Sequence, residues 1–320
     1  MARALPVVPL RRLPLRRLAC LVPLVLIAGW AAANWPLLRD GCRELLTADP
    51  GWLLAAVAIT GLCWVPVCLT RQGAVLERLP PVRLFASQVA AGTANHVLPA
   101  GLGAHAVTLR FMTRCGIPPA RSSAALALYS LVEPVARVLL LAVLLVLFPQ
   151  ALPLADLAPD ATALALLAAV VLAAAGLLAL VLRAWTRARR LLADFLTVAL
   201  TDARAVHARP ARAMALWGGA FAFPALQASV LVAVAAATQL PVRSADVAVA
   251  YLAASVLAGA VPTPGGIGSV DAALVVTLAA AGAPLALATG TTVGFRIITV
   301  WLPLLPGALV LTALVRRKVL

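Results

Sequence analysis

Charged residues are scarce in this sequence: they make up 12% of its 320 residues, whereas 63% of the residues are hydrophobic. A typical soluble domain carries more charge, because roughly a quarter of its residues are charged. Long apolar runs recur along the whole chain, and runs such as 163–182 lack the polar–apolar alternation of a transmembrane barrel strand. The composition therefore excludes a soluble fold and predicts an all-α, polytopic integral membrane protein.

Acidic residues are the scarcer charged class, with 11 Asp and Glu against 26 Lys and Arg, so the net charge is +15. A basic balance also occurs in nucleic-acid-binding proteins, but the aromatic residues that would stack on bases are not interleaved with these arginines. The arginines instead gather at the ends of apolar runs, where they set topology and meet anionic headgroups. We expect membrane lipid as a partner and no nucleic acid.

Motifs for catalysis or metal binding are also missing from the sequence. The five cysteines and three histidines have no ligand spacing. There is no P-loop, no Gly-x-Ser-x-Gly elbow and no His-Glu-x-x-His pair. We therefore expect no enzyme activity, no cofactor and no metal, and any lipid movement would be passive or driven by an ion.

Six apolar runs are long enough to cross a bilayer, which takes about 20 residues. The segments that connect these runs on one side of the membrane, and the two chain termini, are basic. The connecting loops on the other side are neutral or acidic. The excess of arginine places both termini in the cytoplasm of a cell-membrane protein. The domains are a basic arm (1–17), a transmembrane domain (18–315) with a basic linker (183–212), and a basic tail (316–320). The six predicted spans are 18–38, 51–70, 122–148, 161–182, 213–237 and 284–315.

The basic linker 183–212 alternates arginines with apolar residues. This pattern is typical of a helix that lies in the membrane surface. A solvated connecting helix fits the same pattern, and the sequence does not separate the two.

Two further apolar units, 84–113 and 248–281, are each interrupted by glycine and proline at Pro99–Gly103 and Val261–Asp271. Irregular backbone at membrane depth must be buried in protein or line a wet cavity. Each unit is either a re-entrant loop or a pair of tilted spans. Both units lead to a Gly-x-Pro turn and enter from opposite sides, which predicts an inverted repeat of about 51–148 and 213–315. The alternative to an inverted repeat is that glycine and proline interrupt the two units at similar places by chance.

The residues around these two interruptions also resemble the sequence signatures of a known family. The stretch Val261–Asp271 with Arg296 downstream, and the stretch Asn95–Gly103 with Glu133 downstream, resemble the two signatures of the lysylphosphatidylglycerol synthase transmembrane (flippase-like) family. The resemblance implies a membrane protein that moves or handles phospholipids or polyprenyl-phosphate lipids. The soluble aminoacyl-transferase domain of its best-known members is not expected here, so a separate transferase is a possible partner.

The sequence departs from the family pattern mainly in the first signature. Family members usually have an acidic residue where this chain has Ala104–His105, and a basic residue where Thr108 stands. Asp271 replaces the more usual glutamate. The second signature is therefore the better match.

The chemistry of these residues suits an anionic headgroup. A helix that starts after Gly266–Gly268 presents free N–H groups to a phosphate, and Arg296, Arg110 and Arg137 are able to add bidentate contacts. The alternatives are a structural Arg296–Asp271 ion pair and a local Glu133–Arg137 pair one helical turn apart. An Asp271 carboxylate near the phosphate also suggests proton coupling.

We therefore expect a translocase of lipids or lipid-linked precursors that passes the headgroup between the two broken helices. The alternative function is a non-transporting membrane subunit that presents lipid to a separate glycosyl- or aminoacyl-transferase. An intramembrane enzyme, which would act through Asp271 or Glu133, is a third possibility. The predicted substrate-binding residues are Asn95, Pro99, Gly101, Gly103, His105, Arg110, Glu133, Arg137, Pro262, Pro264, Gly265, Gly266, Gly268, Asp271 and Arg296.

Overall fold

A computed structural model of the protein describes residues 46–96, 102–151, 186–259 and 268–316, together with positions 35, 39, 172, 176 and 266. The regular elements in these ranges are all helical, which confirms the all-α prediction. In chain order they are α1 (Pro50–Leu62), α2 (Trp64–Gly73), α3 (Pro81–Asn95), α4 (Leu102–Arg114), α5 (Pro119–Leu147), α6 (Thr186–His207), α7 (Pro210–Ala237), α8 (Ser244–Gly259), α9 (Ser269–Ala280), α10 (Leu285–Arg296), a π-helix (Ile297–Trp301) and α11 (Leu302–Arg316).

Proline begins several of these helices. Pro50, Pro81, Pro119 and Pro210 each occupy the first helical position. Proline suits this position because its φ angle is already helical and its missing N–H would have had no intrahelical partner. The prolines in the sequence thus mark where helices start.

Four apolar stretches in the described ranges are long enough to cross a membrane: Pro50–Gly73, Pro119–Leu147, Pro210–Ala237 and Leu285–Leu314. They agree with the predicted spans 51–70, 122–148, 213–237 and 284–315. The predicted spans 18–38 and 161–182 lie outside the described residues. The helix α5 exposes Leu131 and Val146 at 68% and 80%, as expected for side chains that face lipid.

The two interrupted units form pairs of short helices, α3 with α4 and α8 with α9. The four helices contain 15, 13, 16 and 12 residues, fewer than a full membrane crossing needs. The paired helices α3 and α4 approach closely at Gly103, where an added Cβ would lie only 1.9 Å from the carbonyl oxygen of Ala94. Glycine at position 103 therefore allows the backbones to touch.

The predicted cytoplasmic connections meet at one end of the bundle, which we call the arginine end. Arg121 forms ion pairs with Glu77 (2.6 Å) and Asp202 (3.0 Å). Arg212 donates to the carbonyl oxygens of Gln72 (2.7 Å) and Leu76 (3.0 Å). These bonds join the connections after α2, α4 and α6, so the unit α3–α4 begins and ends at the arginine end.

The predicted outer connections meet at the opposite end. The N–H of Asp49 donates to the carbonyl oxygen of Ala237 (3.1 Å), and the hydroxyls of Thr238 and Thr291 lie 2.9 Å apart. These contacts bring the start of α1, the end of α7 and the first part of α10 together. The unit α8–α9 lies between α7 and α10 in the chain, so it begins and ends at this opposite end. Short helices with both ends on one side favour re-entrant hairpins over tilted spans.

The turns that follow the two hairpins have the same geometry. Gly116 and Gly282 have φ angles of +88° and +95°. The N–H groups of Ile117 and Ala283 each bond to a carbonyl five residues earlier, which is the Schellman motif. Hairpin α3–α4 packs on α11 of the second half, and α8 packs on α5 of the first half. These paired features support the predicted repeat.

The linker helix α6 lies at the arginine end beside α5 and α7. Val206 is fully buried, whereas Leu196 and Leu200 are 47% and 55% exposed. Exposed leucines beside arginines are typical of a helix that rests on a membrane surface, which favours that interpretation of the linker.

Candidate functional site

A cavity of about 470 Å³ lies inside the bundle, where the two hairpins meet the long helices. Its volume is in the range of small-molecule sites in proteins. Apolar side chains such as Trp64, Phe223 and Phe295 form part of the wall. The polar side chains on the wall are Thr60, Arg71, Gln88, Asn95, His96, His105, Glu133, Arg137, Gln227, Tyr251, Ser255, Arg296 and Thr299. Both hairpins and both halves of the chain therefore contribute to one polar chamber within an apolar bundle.

Arg296, at the end of α10, ties the second interruption to the final membrane helix. Its Nη2 donates to the carbonyl oxygen of Gly266 (2.8 Å), and its Nε forms an ion pair with Oδ1 of Asp271. The two side chains are only 13% and 17% exposed. The ion pair offsets the high free-energy cost of placing an arginine in the membrane interior. The Arg296–Asp271 ion pair that the sequence suggests is thus present in the structure.

Asp271 also occupies the N-terminus of α9. Its Oδ2 accepts the N–H of Gly268 (2.8 Å). The prediction that this helix end offers its N–H groups to a ligand is therefore wrong for Gly268, because a carboxylate from the first turn has already taken that donor. The N–H of Gly268 is therefore not available to an anion in the cavity.

Glu133 forms its ion pair with Arg71, so the predicted local Glu133–Arg137 pair is wrong. The guanidinium of Arg71 lies 3.7 Å from the ring centre of Tyr129, one turn before Glu133 on the same face of α5. Because Arg71 of the neighbouring helix α2 lies over the Tyr129 ring, its guanidinium is close enough to pair with the Glu133 carboxylate. Tertiary packing of α2 against α5 decides the partner.

Sequence reasoning missed Arg71 because it ended the second predicted span at residue 70, which left this residue in a basic connection outside the membrane. The helix α2 instead continues to Gly73, so Arg71 lies in its last turn. The signal was present, because no helix-breaking residue stands between Pro66 and Gly73. Arg71 was counted among the basic residues that determine membrane topology, whereas its side chain lines the cavity.

Arg137 is the arginine of the cavity without a carboxylate partner among the described residues. Its Nη1 donates to the carbonyl oxygen of Ser255 across a long distance of 3.5 Å. Its Nε is buried and has no hydrogen-bond partner in the described part of the chain. A cation that is only weakly satisfied inside a membrane bundle is well suited to hold an anionic ligand.

Buried nitrogens without hydrogen bonds concentrate in this cavity. Within the described ranges they are Nε of Arg71, Nδ1 of His96 and Nε of Arg137, and all three residues line the cavity. Buried polar atoms nearly always have a partner, so each exception calls for an explanation. The described part of the protein therefore leaves these three side chains of the cavity wall incompletely hydrogen-bonded.

His105 lies on the cavity wall where α4 faces α5. Its Nε2 is 3.0 Å from Oγ of Ser130, and its ring stacks on Tyr129 at a centroid distance of 6.0 Å. These contacts hold the imidazole beside the Arg71–Glu133 pair, which shares Tyr129. The prediction that this residue is part of the polar chamber agrees with its position.

A π-helix follows Arg296 directly and faces the cavity with Thr299 and Val300. The N–H of Leu302 bonds to Ile297, five residues earlier. Pro303 has no N–H to donate and its ring would clash with the preceding turn of a regular α-helix, which explains the wider turn here. Such π-turns in membrane helices often mark functional sites.

The structure brings together part of the predicted site. Asn95, His105, Glu133, Arg137 and Arg296 line the cavity; Gly266 and Asp271 bind Arg296, and Gly268 binds Asp271. Gly103 is buried where the hairpin helices touch, and Arg110 is exposed and not on the cavity wall. Pro99, Gly101, Pro262, Pro264 and Gly265 lie outside the described residues. Arg71, His96 and Gln227 are cavity residues that were not predicted.

Metal binding finds no support in the ranges that the structure describes, since they contain no group of three His, Cys, Asp or Glu side chains arranged to hold an ion. The arrangement is instead one of guanidinium, imidazole and amide groups, which suits an oxyanion with polar substituents.

Comparison with known proteins gives one family. Residues 17–307 match the model of the family described as "Lysylphosphatidylglycerol synthase TM region". The match covers both hairpins, every residue of the cavity wall and the long helices of the described ranges, the last of which, Leu285–Leu314, it covers as far as residue 307. No curated protein matches the sequence.

Proposed function

Because this chain belongs to the lysylphosphatidylglycerol synthase transmembrane-region family, whose members are membrane proteins involved in lipid handling, we propose that its cavity binds the anionic headgroup of a membrane lipid. The protein then moves that lipid between leaflets, as a translocase of a phospholipid or a polyprenyl-phosphate precursor. It acts in the cell membrane with both termini in the cytoplasm, as the arginine distribution indicates.

The observation that carries this proposal is the state of Arg137. Its guanidinium lies on the cavity wall with a buried, unpartnered Nε and with no carboxylate partner among the described residues. An arginine fork matches phosphate oxygens bidentately, and the interaction is strong where water is excluded. Arg71 and His96 lie on the same cavity wall.

Movement of the two hairpins would open this binding site to one side of the membrane at a time. The hairpin α3–α4 extends from the arginine end, and α8–α9 extends from the opposite end, so each separates the cavity from one face. Alternating movement of two such repeats around a central site is the usual mechanism of transporters with inverted repeats. The headgroup would pass through the polar chamber while its hydrocarbon chains stay in lipid.

The test is lipid transfer by the purified protein in vesicles. Phosphatidylcholine vesicles carry a trace of fluorescently labelled phosphatidylglycerol, and dithionite added outside quenches only the outer leaflet. We expect the wild type to expose most of the inner-leaflet probe and Arg137→Gln to slow this by at least about tenfold, since tenfold corresponds to about 1.4 kcal/mol. The matched control is Arg204→Gln, which removes an exposed arginine of α6 and leaves the cavity intact.

Two results would contradict the proposal. Equal transfer rates for the wild type and Arg137→Gln would remove Arg137 from the path. Binding of the probe without any transfer by the wild type would show the non-transporting subunit that presents lipid to a separate transferase.

A further inference from the structure

The charged groups of the cavity do not cancel. Among the described residues, three guanidinium groups belong to it, those of Arg71, Arg137 and Arg296. Two carboxylates compensate them, Glu133 on Arg71 and Asp271 on Arg296. With the imidazoles counted as neutral, the three positive and two negative charges of the described residues leave a net charge of +1.

The two carboxylates are held differently. Asp271 is bound from two directions, by Arg296 and by the N–H of Gly268, and it is 17% exposed. Glu133 has one described partner, Arg71, and its side chain is 35% exposed on the cavity wall. Asp271 therefore belongs to the framework of the second hairpin, whereas Glu133 faces the space that a ligand would enter.

Arg71 keeps a second support if Glu133 turns away. Its guanidinium lies over Tyr129 at 3.7 Å from the ring centre, and its Nε is buried without a hydrogen bond. A cation–π contact stabilises a guanidinium most where the group is desolvated. Arg71 can thus remain in place while an oxygen of the ligand approaches it.

We propose that Glu133 determines the charge of the headgroup that the cavity accepts. With Glu133 balancing Arg71, one positive charge remains, so the cavity selects a headgroup with a single negative charge, a phosphodiester. Phosphomonoesters and diphosphates, with two or more charges, are disfavoured because they would leave net negative charge in a region of low dielectric constant. This inference rests on the proposed binding of an anionic headgroup.

The experiment measures binding to the full chain in detergent at pH 8.5 by calorimetry. The probes are dihexanoyl phosphatidylglycerol, a phosphodiester with one charge, and dihexanoyl phosphatidic acid, a phosphomonoester with close to two charges at this pH. Their deacylated forms, glycerophosphoglycerol and glycerol phosphate, form a second pair. For the wild type we expect the phosphodiester to bind at least about tenfold more tightly than the phosphomonoester, because charge complementarity controls which partner is accepted.

The variants test the charge count directly. Glu133→Gln raises the cavity charge to +2, and we expect it to shift the affinity ratio towards the phosphomonoester by at least about tenfold. The double variant Arg71→Gln/Glu133→Gln restores a net charge of +1, and the preference for the phosphodiester should return. The matched control is Glu77→Gln, which changes the protein's charge by the same amount at the arginine end, outside the cavity, and should keep the wild-type ratio.

The outcomes separate this inference from the proposed function. If neither lipid binds the wild type more tightly than Arg137→Gln, headgroup binding itself is refuted. If both lipids bind through Arg137 but the wild type favours the phosphomonoester, or Glu133→Gln leaves the ratio unchanged, only the role of Glu133 is refuted. The wild-type ratio needs no variant, so poor folding of Glu133→Gln does not remove the test. Equal affinity for acylated and deacylated diesters would assign the site to a free phosphodiester and refute the lipid.

Discussion

His105 and Ser130, whose Nε2 and Oγ atoms lie 3.0 Å apart, are the counterparts in the first half of the chain of Asp271 and Arg296 in the second. Both pairs are separated by 25 residues. Each joins the second helix of a hairpin to the long helix that follows, across a Schellman turn at Gly116 or Gly282. One half is therefore closed by an ion pair and the other by a histidine–serine hydrogen bond.

This difference predicts unequal stability of the two closures. Arg296→Gln or Asp271→Asn should each lower the free energy of unfolding by about 3–5 kcal/mol, because each leaves the partner charge buried without compensation. His105→Ala should cost less, because it removes a hydrogen bond worth about 0.5–1.5 kcal/mol and the ring contact with Tyr129 but leaves no ion-pair partner without compensation. Thermal unfolding in detergent, followed by fluorescence, measures both. Equal losses in the two halves would contradict the interpretation.

The same correspondence predicts that the ion pair can be transplanted. In the double variant His105→Asp/Ser130→Arg, the two new side chains should meet as Asp271 and Arg296 do. Each single variant should be destabilised, and the double variant should recover most of the loss, with a coupling energy of about 0.5–3 kcal/mol. A double-mutant cycle of melting temperatures gives this coupling. Losses that simply add would show that the two pairs are not equivalent.

The two Schellman turns predict similar responses to alanine. Gly116→Ala and Gly282→Ala place a side chain at φ angles of +88° and +95°, where an L-residue is strained by about 1–2 kcal/mol. An added Cβ would meet no atom within 4 Å at either position, so the loss comes from the backbone alone. Gly61→Ala is the control, because its Cβ is also free but the residue is helical, and it should be neutral or stabilising.

A chemical label can test which end of the bundle faces the cytoplasm. Cys115 is exposed in the turn at the arginine end. In a variant that keeps only this cysteine, a membrane-impermeant maleimide should label inverted vesicles and not intact cells. Arg243→Cys in a cysteine-free background is the control, because Arg243 is exposed at the opposite end and should show the reverse pattern. Labelling of Cys115 from outside would invert the topology.

The pH dependence of that labelling is also determined by the structure. Burial raises the pKa of the Cys115 thiol above its usual value, and Arg83 nearby offsets only part of this rise. The thiolate is the reactive form, so a raised pKa reduces the reactive fraction at neutral pH. We expect the maleimide rate at Cys115 to increase up to a higher pH than that of a free thiol such as glutathione, measured in the same buffers.

Composition, together with the glycine and proline residues that interrupt apolar runs, predicted much of the site. The scarcity of charge predicted the membrane class, and the interruptions near Gly103 and Gly268 predicted two broken helical units, because runs of 12 to 16 residues cannot cross a bilayer. The sequence left open whether each unit is a re-entrant loop or a pair of tilted spans. Arg137 and Arg296 stood out because an arginine inside an apolar run needs a reason to be there. In each case the cause is local: the bilayer acts on every residue of a segment in the same way.

The sequence did not predict the ion-pair and hydrogen-bond partners of the charged residues. The helical spacing of Glu133 and Arg137 favours a local pair, yet Glu133 binds Arg71 from another helix. Nothing in the order of residues showed that Asp271 takes the donor of Gly268, or that Arg137 is left without a carboxylate among the described residues. The sequence alone determined which segments enter the membrane, because hydrophobic burial depends on composition. The tertiary structure decided which charges meet, because ion pairs depend on distances of a few ångströms that only helix packing sets.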